Sequence, residues 1–410
     1  MTRVGIGHGN GKDSLLLGRQ VAESAARSGG ISHADLIIAF CSGLLDHEAF
    51  FAGIREAAGR EAPVIGGSAI GVITNDYLSY RGFPAAVAMV QSDGVGFATA
   101  SAGDILKGEE AAGGLLAERL PRGGSDRLLL TFYDSVRVPP GNPGPPVLNS
   151  SAPLLLGMER KLAGSIPIFG AGLVGDYGFN PTRQFCGSTV ETRHVVGCMM
   201  SGVFSFYHSI MHGCVPLDGI YHRITTMEGQ IIYELDGIPV VTLIDRIFGN
   251  AQWQEERPVV NCLTIGVNYG ERFGVPREGD YVNRLITGVT PDRKGIAMFE
   301  PDLAVGMEVQ FMVRDNRMMH QSVRDDTAEL LGRIAADGRR PFFGIYIDCA
   351  GRTAEQSFSA EEEAAEVQRQ LCASSVPLFG FYSGVEIAPL LGRSRGLDWT
   401  GVLLILTEER

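Results

Sequence analysis

Three stretches of the chain are predominantly apolar with no polar residue at every second position: Asp35–Ser42, Leu128–Ser135 and Phe343–Gly351. Runs of this length without alternation predict strands covered on both faces, because parallel sheets are flanked by helices. A stretch of helical character follows each, over residues 47–60, 153–164 and 360–373. Asp46 predicts the N-cap of the first helix, and Ser151, with Pro153 near the first turn, the start of the second. Ser359 predicts the start of the third, where Glu361, Glu362 and Glu363 suit the positive end of the helix dipole. After each helix the chain returns to a strand through one phrase: Pro63-Val64-Ile65-Gly66, Pro167-Ile168-Phe169-Gly170 and Pro377-Leu378-Phe379-Gly380. Strand, helix and strand at this spacing predict a right-handed βαβ crossover, used three times.

The remaining pattern fills in around these units. A helix is expected over residues 14–28, strands over 83–91 and 95–100, and a helix over 108–120. The run 138–146 holds too many prolines for a helix or an interior strand and reads as a surface loop inside the second unit. Residues 195–207 are strand-like. Beyond 220, turns take over: Glu228-Gly229, and Asp236-Gly237 between apolar runs, a strong short-range turn signal. Short strands are expected over 259–267, 281–287, 295–299 and 307–314, with a helix over 323–337 and a last strand over 400–407. The fold class is therefore α/β, mixed with α+β character, built of related modules over 1–220 and 221–410 as a layered sheet–helix sandwich.

Composition narrows the partners. With 35 Lys and Arg against 47 Asp and Glu, the 410-residue chain carries a formal charge of −12, so its average field repels nucleic acid and anionic membrane surfaces. The seven cysteines (Cys41, Cys186, Cys198, Cys214, Cys262, Cys349, Cys372) include no C-x-x-C pair and are odd in number. They speak against a disulfide framework or a thiolate zinc site and fit reduced thiols in the cytoplasm. No run reaches the roughly 20 apolar residues of a membrane span, and Met1–Asp13 lacks the apolar core of a signal peptide.

Several of these pieces, in this order, resemble the FIST sensory family, whose members carry an N-terminal and a C-terminal module. They are the 35–42 strand with Gly66-Gly67-Ser68-Ala69-Ile70-Gly71-Val72-Ile73, then Tyr233-Glu234-Leu235-Asp236-Gly237-Ile238-Pro239, the turn Cys349-Ala350-Gly351-Arg352, and Phe379–Pro389 with Glu386. The resemblance covers about residues 30–407. It implies a bacterial or archaeal input module that binds a small ligand, with amino acids as a suggested class and haem as cofactor in some members. It also implies an output domain such as a kinase, cyclase or receptor, expected here in a separate polypeptide.

Ligands of α/β sheets bind outside the carboxyl ends of the strands. This nominates Cys41 and Ser42, Tyr133, Asp134 and Ser135, and Cys349, Gly351 and Arg352 at the turns, with Ser68, Gly172, Tyr382 and Ser383 after the partner strands. Gly66, Gly67, Gly172 and Gly351 would allow close backbone approach. Arg352 is expected to grip a carboxylate and Glu386 an ammonium, or else the two pair with each other. Ser68 is a hydroxyl donor or a small packing residue, and Asp134 and Asp176 are read first as caps.

Catalysis has thin support. Gly67-Ser68-Ala69-Ile70-Gly71 misses the G-x-S-x-G elbow by one residue, and Gly9-Asn10-Gly11-Lys12-Asp13 lacks the spacing and hydroxyl of a P-loop. Cys349 or Cys41 remains as a nucleophile if a histidine lies near. His208 and His212 are the candidate axial ligands for haem.

Overall fold

The computed structural model describes residues 2–59, 61–139, 146–162, 164, 166–254 and 263–409. Cys262, the proline-dense centre of the 138–146 loop and the front of the 259–267 run lie outside the described residues. The first unit runs β1 (Thr2–Asn10), α1 (Ser14–Gly29), β2 (Leu36–Ser42), α2 (His47–Ala58), β3 (Val64–Ala69), β4 (Val72–Thr74), β5 (Leu78–Ser79) and β6 (Pro84–Ser92). The second repeats this order with β7 (Val95–Ala102), α3 (Glu109–Arg119), β8 (Asp126–Asp134), a small hairpin β9 (Val136–Val138) and β10 (Val147–Leu148), α4 (Ser151–Leu162), β11 (Ile168–Leu173), β12 (Arg183–Gly187), β13 (Thr189–Thr192) and β14 (Val195–Gly202).

The third unit opens with β15 (Ser205–Met211) and is interrupted by an insertion. This holds β16 (Val215–Pro216), β17 (His222–Glu228), β18 (Ile231–Leu235), β19 (Ile238–Pro239), α5 (Val240–Phe248), β20 (Leu263–Asn268), β21 (Tyr281–Arg284), β22 (Ile286–Val289), β23 (Ile296–Met298) and β24 (Glu308–Val313). The unit resumes with α6 (Asn316–Ala336), β25 (Arg339–Cys349), α7 (Ala354–Ser357), α8 (Ala364–Ala373), β26 (Leu378–Ser383), β27 (Val385–Leu390), β28 (Arg393–Leu397) and β29 (Gly401–Glu409).

The three main sheets share one plan. Their orders are β1-β6-β2-β3-β12-β13, β7-β14-β8-β11-β27-β28 and β15-β29-β25-β26-β4-β5. In each, the last two strands are the tail of another unit: the second unit's tail lies on the first sheet, the third's on the second and the first's on the third. The exchange closes the units into a ring, and β3, β11 and β26 all touch one another at its centre. Two sheets therefore mix strands from both sides of residue 220, and the chain is three repeats with one insertion rather than two halves with separate sheets.

Aromatic side chains from all three sheets meet inside the ring. Phe40 stacks on Phe381 with ring centroids 3.8 Å apart, and Phe132 sets its edge against both at 5.1 and 5.7 Å. Burial of such side chains from strands far apart in sequence is the main force holding the ring closed. The helices clothe the outer faces: Leu17, Val21, Phe50 and Ile54 of α1 and α2 pack on the first sheet, and α3 with α4, then α6 with α8, repeat the arrangement.

The glycine of each Pro-x-(Ile/Phe)-Gly phrase pairs with the middle of the preceding strand, Gly66 with Ala39, Gly170 with Thr131 and Gly380 with Tyr346. Gly66 and Gly170 hold φ of +136° and +152°, and an added Cβ would stand 2.0 Å from the Ala39 carbonyl oxygen and 1.7 Å from that of Thr131. Gly66, expected to allow close approach at the site, instead admits the neighbouring strand, and Gly170 does the same in the second unit.

Asp46 caps α2 as expected, accepting from the Ala49 amide at 3.1 Å. The third helix starts later than Ser359 predicts, at Ala364, because the carboxylates of Glu362 and Glu363 turn away to other partners. The insertion leaves and rejoins the ring at one place: Gly213 packs directly on Met318 and Met319. It occupies the position of the short link between β1 and α1 and has a core of its own, with Ile224, Ile232, Ile244, Ile265 and Phe311.

Candidate functional site

The three strand-end corners meet at one end of the ring, stitched by backbone hydrogen bonds across the unit boundaries. The Gly43 amide donates to the Gly175 carbonyl at 2.9 Å, the Gly384 amide to Gly172 at 3.0 Å, and the Ile70 amide to Tyr382 at 3.3 Å. The convergence follows from the tail exchange, since each chain leaves its middle strand at the corner and crosses to the next sheet there.

The corners differ in chemistry. At the first, Ser68 Oγ lies 2.9 Å from His47 Nε2 and accepts from the Arg183 amide at 2.8 Å, while Ser42 Oγ accepts from the Leu44 amide. Burial, with Arg183 nearby, lowers His47 to about 4, so its imidazole is neutral. Gly67 is pressed against the Arg183 carbonyl. At the second corner, Asp134 accepts from the Thr182 hydroxyl at 2.9 Å and from the Val136 amide at 3.2 Å, a turn-capping role, and Ser135 donates to the Leu173 carbonyl at 2.6 Å. Tyr133 is fully buried, and its Oη has no hydrogen-bond partner among the described residues.

The third corner is ionic. Arg352 Nε donates to Asp348 at 2.9 Å and to Glu363 at 3.0 Å, Nη2 lies 2.9 Å from Glu363, and Nη1 reaches the Trp399 carbonyl at 3.4 Å. All three charged side chains are withdrawn from water. Burial works against the guanidinium's charge, yet Glu363 and Asp348 hold its pKa above the ordinary value. Asp348 is pushed up by burial and by the neighbouring Glu363 carboxylate, with Arg352 opposing them. The expected alternatives for Arg352, a ligand carboxylate or Glu386, are thus replaced by Asp348 and Glu363. Glu386 accepts instead from the Ser383 hydroxyl at 2.9 Å and the Thr400 amide at 3.3 Å, and Tyr382 Oη approaches Glu362 at 3.4 Å. Gly351 lies beside Trp399.

A second ionic group, invisible in the sequence, joins this corner to the insertion. Arg284 of β21 binds Asp302 through Nε at 2.7 Å and stands 3.6 Å from Asp398 and 3.8 Å from Glu300. Glu300 in turn accepts from the Ser151 amide at the start of α4 at 2.7 Å and from the Ser151 hydroxyl. Asp398 Oδ2 accepts from the Leu285 amide at 3.0 Å, while Oδ1 has no hydrogen-bond donor among the described residues. Burial, reinforced by Asp302, pushes Glu300 up to about 8, and burial raises Asp398 to about 6. Tyr133 faces this group: Glu300, Asp398 and Glu386 all raise its hydroxyl pKa further, and Arg284 opposes them. Nothing in the spacing of Arg284, Glu300 and Asp398 along the chain marks them as neighbours, since the insertion must dock before they meet.

The alternative chemistries fare less well. Cys41 and Cys349 are buried and burial raises both thiol pKa values, the reverse of an activated thiolate. Each candidate haem ligand uses Nε2 in a protein contact, His208 with the Pro389 carbonyl and His212 with the Glu278 carbonyl, both at 3.0 Å. His212 Nδ1 also accepts from the Cys214 amide, so both of its nitrogens are committed. No helix among the described residues is long and apolar enough to cross a membrane.

Comparison with known proteins bears on the whole chain. The FIST N domain profile matches residues 35–238 and the FIST C domain profile residues 248–389, so the join between the two falls within the inserted sheet. A Mycobacterium bovis protein described as uncharacterised is 28% identical over 232 residues, 56% of this chain and 57% of its own length. A Mycobacterium tuberculosis protein described likewise is 29% identical over 231 residues, 55% and 57%. The matched region spans just over half the length of these relatives. Among solved structures, a cyanuric acid hydrolase from A. caulinodans aligns over all of both chains at 10% identity and a TM-score of 0.33. PurLQS from Thermotoga maritima aligns over 99% of this chain and 72% of its own at 10% identity and a TM-score of 0.21. Scores this low carry no argument about fold or chemistry. With both profiles matched in order over most of its length, the chain belongs to the FIST family.

Proposed function

We propose that this protein is a cytoplasmic input protein that takes up a small polar metabolite, with amino acids as the first class to test. The site is the seam where the second and third corners meet the inserted sheet, and occupancy is passed to a separate signalling partner. FIST domains are associated with sensory signalling, which gives the reading its setting. The observation that carries it is a pair of buried atoms with no hydrogen-bond partner among the described residues, Tyr133 Oη and Asp398 Oδ1, at one ionic group in which Asp398 Oδ1 has only the 3.6 Å ion pair to Arg284. Buried polar groups are nearly always hydrogen-bonded, and an exception calls for a ligand or another partner.

The seam also supplies a two-state element. Tyr133, Asp398 and Glu386 belong to the ring, whereas Arg284, Glu300 and Asp302 belong to the insertion. All except Asp302 are buried, so entry requires the inserted sheet to move, and a ligand held from both sides favours the docked position. A thermal-shift screen against the twenty amino acids and common polar metabolites tests the proposal. One chemical class should raise the melting temperature by several degrees in a dose-dependent way, since a ligand at 100 times its Kd adds about 2.7 kcal/mol. A flat response across the whole library contradicts it.

A further inference from the structure

We infer that the seam contains a subsite for a protonated amine, formed by Tyr133 and Asp398 of the ring and Glu300 of the insertion. The inference rests on the metabolite-binding reading above and names the group that is recognised. Three carboxyls (Glu300, Asp302 and Asp398) lie around the guanidinium of Arg284, and a fourth, Glu386, is close enough to act on Asp398 and Tyr133. Arg352 acts on Glu386 from the neighbouring corner, but Asp348 and Glu363 already balance it there. Three of the four carboxyls are fully buried, so their surplus negative charge is not relieved by solvent. Only protons or a further cation can balance it.

The unpartnered atoms select the kind of cation. Asp398 Oδ1 accepts, and Tyr133 Oη has a free lone pair as well as a proton to place. An ammonium presents three donors on a compact centre and would satisfy both atoms while its charge replaces protons on the carboxyls. A carboxylate or phosphate would add to the surplus, and a neutral group would leave it unchanged. The raised pKa of Glu300, about 8, fits a carboxyl that holds a proton at neutral pH, while Asp398, raised to about 6, holds one only at lower pH. Capture of an amine therefore releases protons. Affinity should rise about tenfold per pH unit between pH 6 and pH 8, where one proton is displaced from Glu300, and level off above.

The test uses the full-length protein and matched probes: each amino acid, the amine left by removing its carboxyl group, and its N-acetyl derivative. Calorimetry at pH 6, 7 and 8, in buffers of different ionisation enthalpy, measures affinity and proton release together. Expected are binding by amine-bearing compounds, at least tenfold weaker binding by the N-acetyl forms, proton release at pH 7, and an affinity that climbs with pH. Tyr133→Phe should weaken the best amine about tenfold without lowering the melting temperature of the unliganded protein. Asp398→Asn should weaken it too and reduce the proton release. Equal binding of N-acetyl and free amines, or binding without proton release, overturns the amine subsite and leaves the metabolite reading standing. No binding by any probe overturns the amine subsite, and only a flat thermal-shift response across the whole metabolite library overturns the metabolite reading with it.

Discussion

Arg352 carries its charge with no access to water, held between Asp348 and Glu363. Removing one partner from a buried ionic group leaves the others uncompensated. Arg352→Ala should therefore cost about 3–5 kcal/mol of stability, read as a lower denaturation midpoint in urea. A change below about 1 kcal/mol would contradict a stabilising role for the guanidinium between these two carboxyls. Tyr133 behaves in the opposite way. Its hydroxyl is desolvated with no hydrogen-bond partner among the described residues, so Tyr133→Phe should leave the unliganded protein unchanged or more stable by about 1 kcal/mol. A clear loss of stability would show that the hydroxyl is partnered within the protein. At this scale the sequence was informative about position and less so about partners. The end of each apolar run marked Tyr133, Asp134 and Arg352 as corner residues, but an ion pair between Arg352 and Glu363 spans a turn and α7, whose path no local pattern reports.

The repeated phrase is most exposed to test at the scale of the element. Because an added methyl at residue 170 would overlap the Thr131 carbonyl, Gly170→Ala should destabilise by more than about 3 kcal/mol or abolish soluble expression, well beyond the usual cost of a point substitution. Gly332→Ala, on α6 with open space around it, is the matched control and should be neutral or slightly stabilising in the same urea titration. The βαβ units were legible because unbroken apolar runs, caps and helical stretches are local signals, and β2, β8 and β25 fall where those runs lie. The tails were not. Strands β4, β12 and β27 pair with units distant in sequence, and nothing within a short strand names its partner. The same limit explains why the two modules, which both family profiles match, could not be seen from the sequence to share sheets in a ring of three repeats, or the inserted sheet to interrupt the third.

Across the whole molecule, buried titratable groups set how stability depends on pH. The carboxyls of Glu300 and Asp398 have folded pKa values above those of the unfolded chain, so their contribution is present at low pH and is lost as pH rises through about 6 to 8. The imidazoles of His47, His208 and His212 are lowered by burial and act in the other sense, contributing above about pH 6.5 and losing that contribution as pH falls. Through Glu300, the melting temperature of the unliganded protein should decline from pH 6.5 to 8, above the range in which the histidines act. Glu300→Gln, which can keep the contacts to Ser151, should flatten that decline, and an unaltered slope would remove Glu300 as its source. The account as a whole depends on the seam being a place where a molecule binds. Crystals of the full-length protein grown with the best amine of the calorimetric series test this most directly. The prediction is density for that amine between Tyr133 Oη and Asp398 Oδ1, with the inserted sheet docked over it. A seam packed only with protein and water, with the amine bound elsewhere or absent, would contradict it.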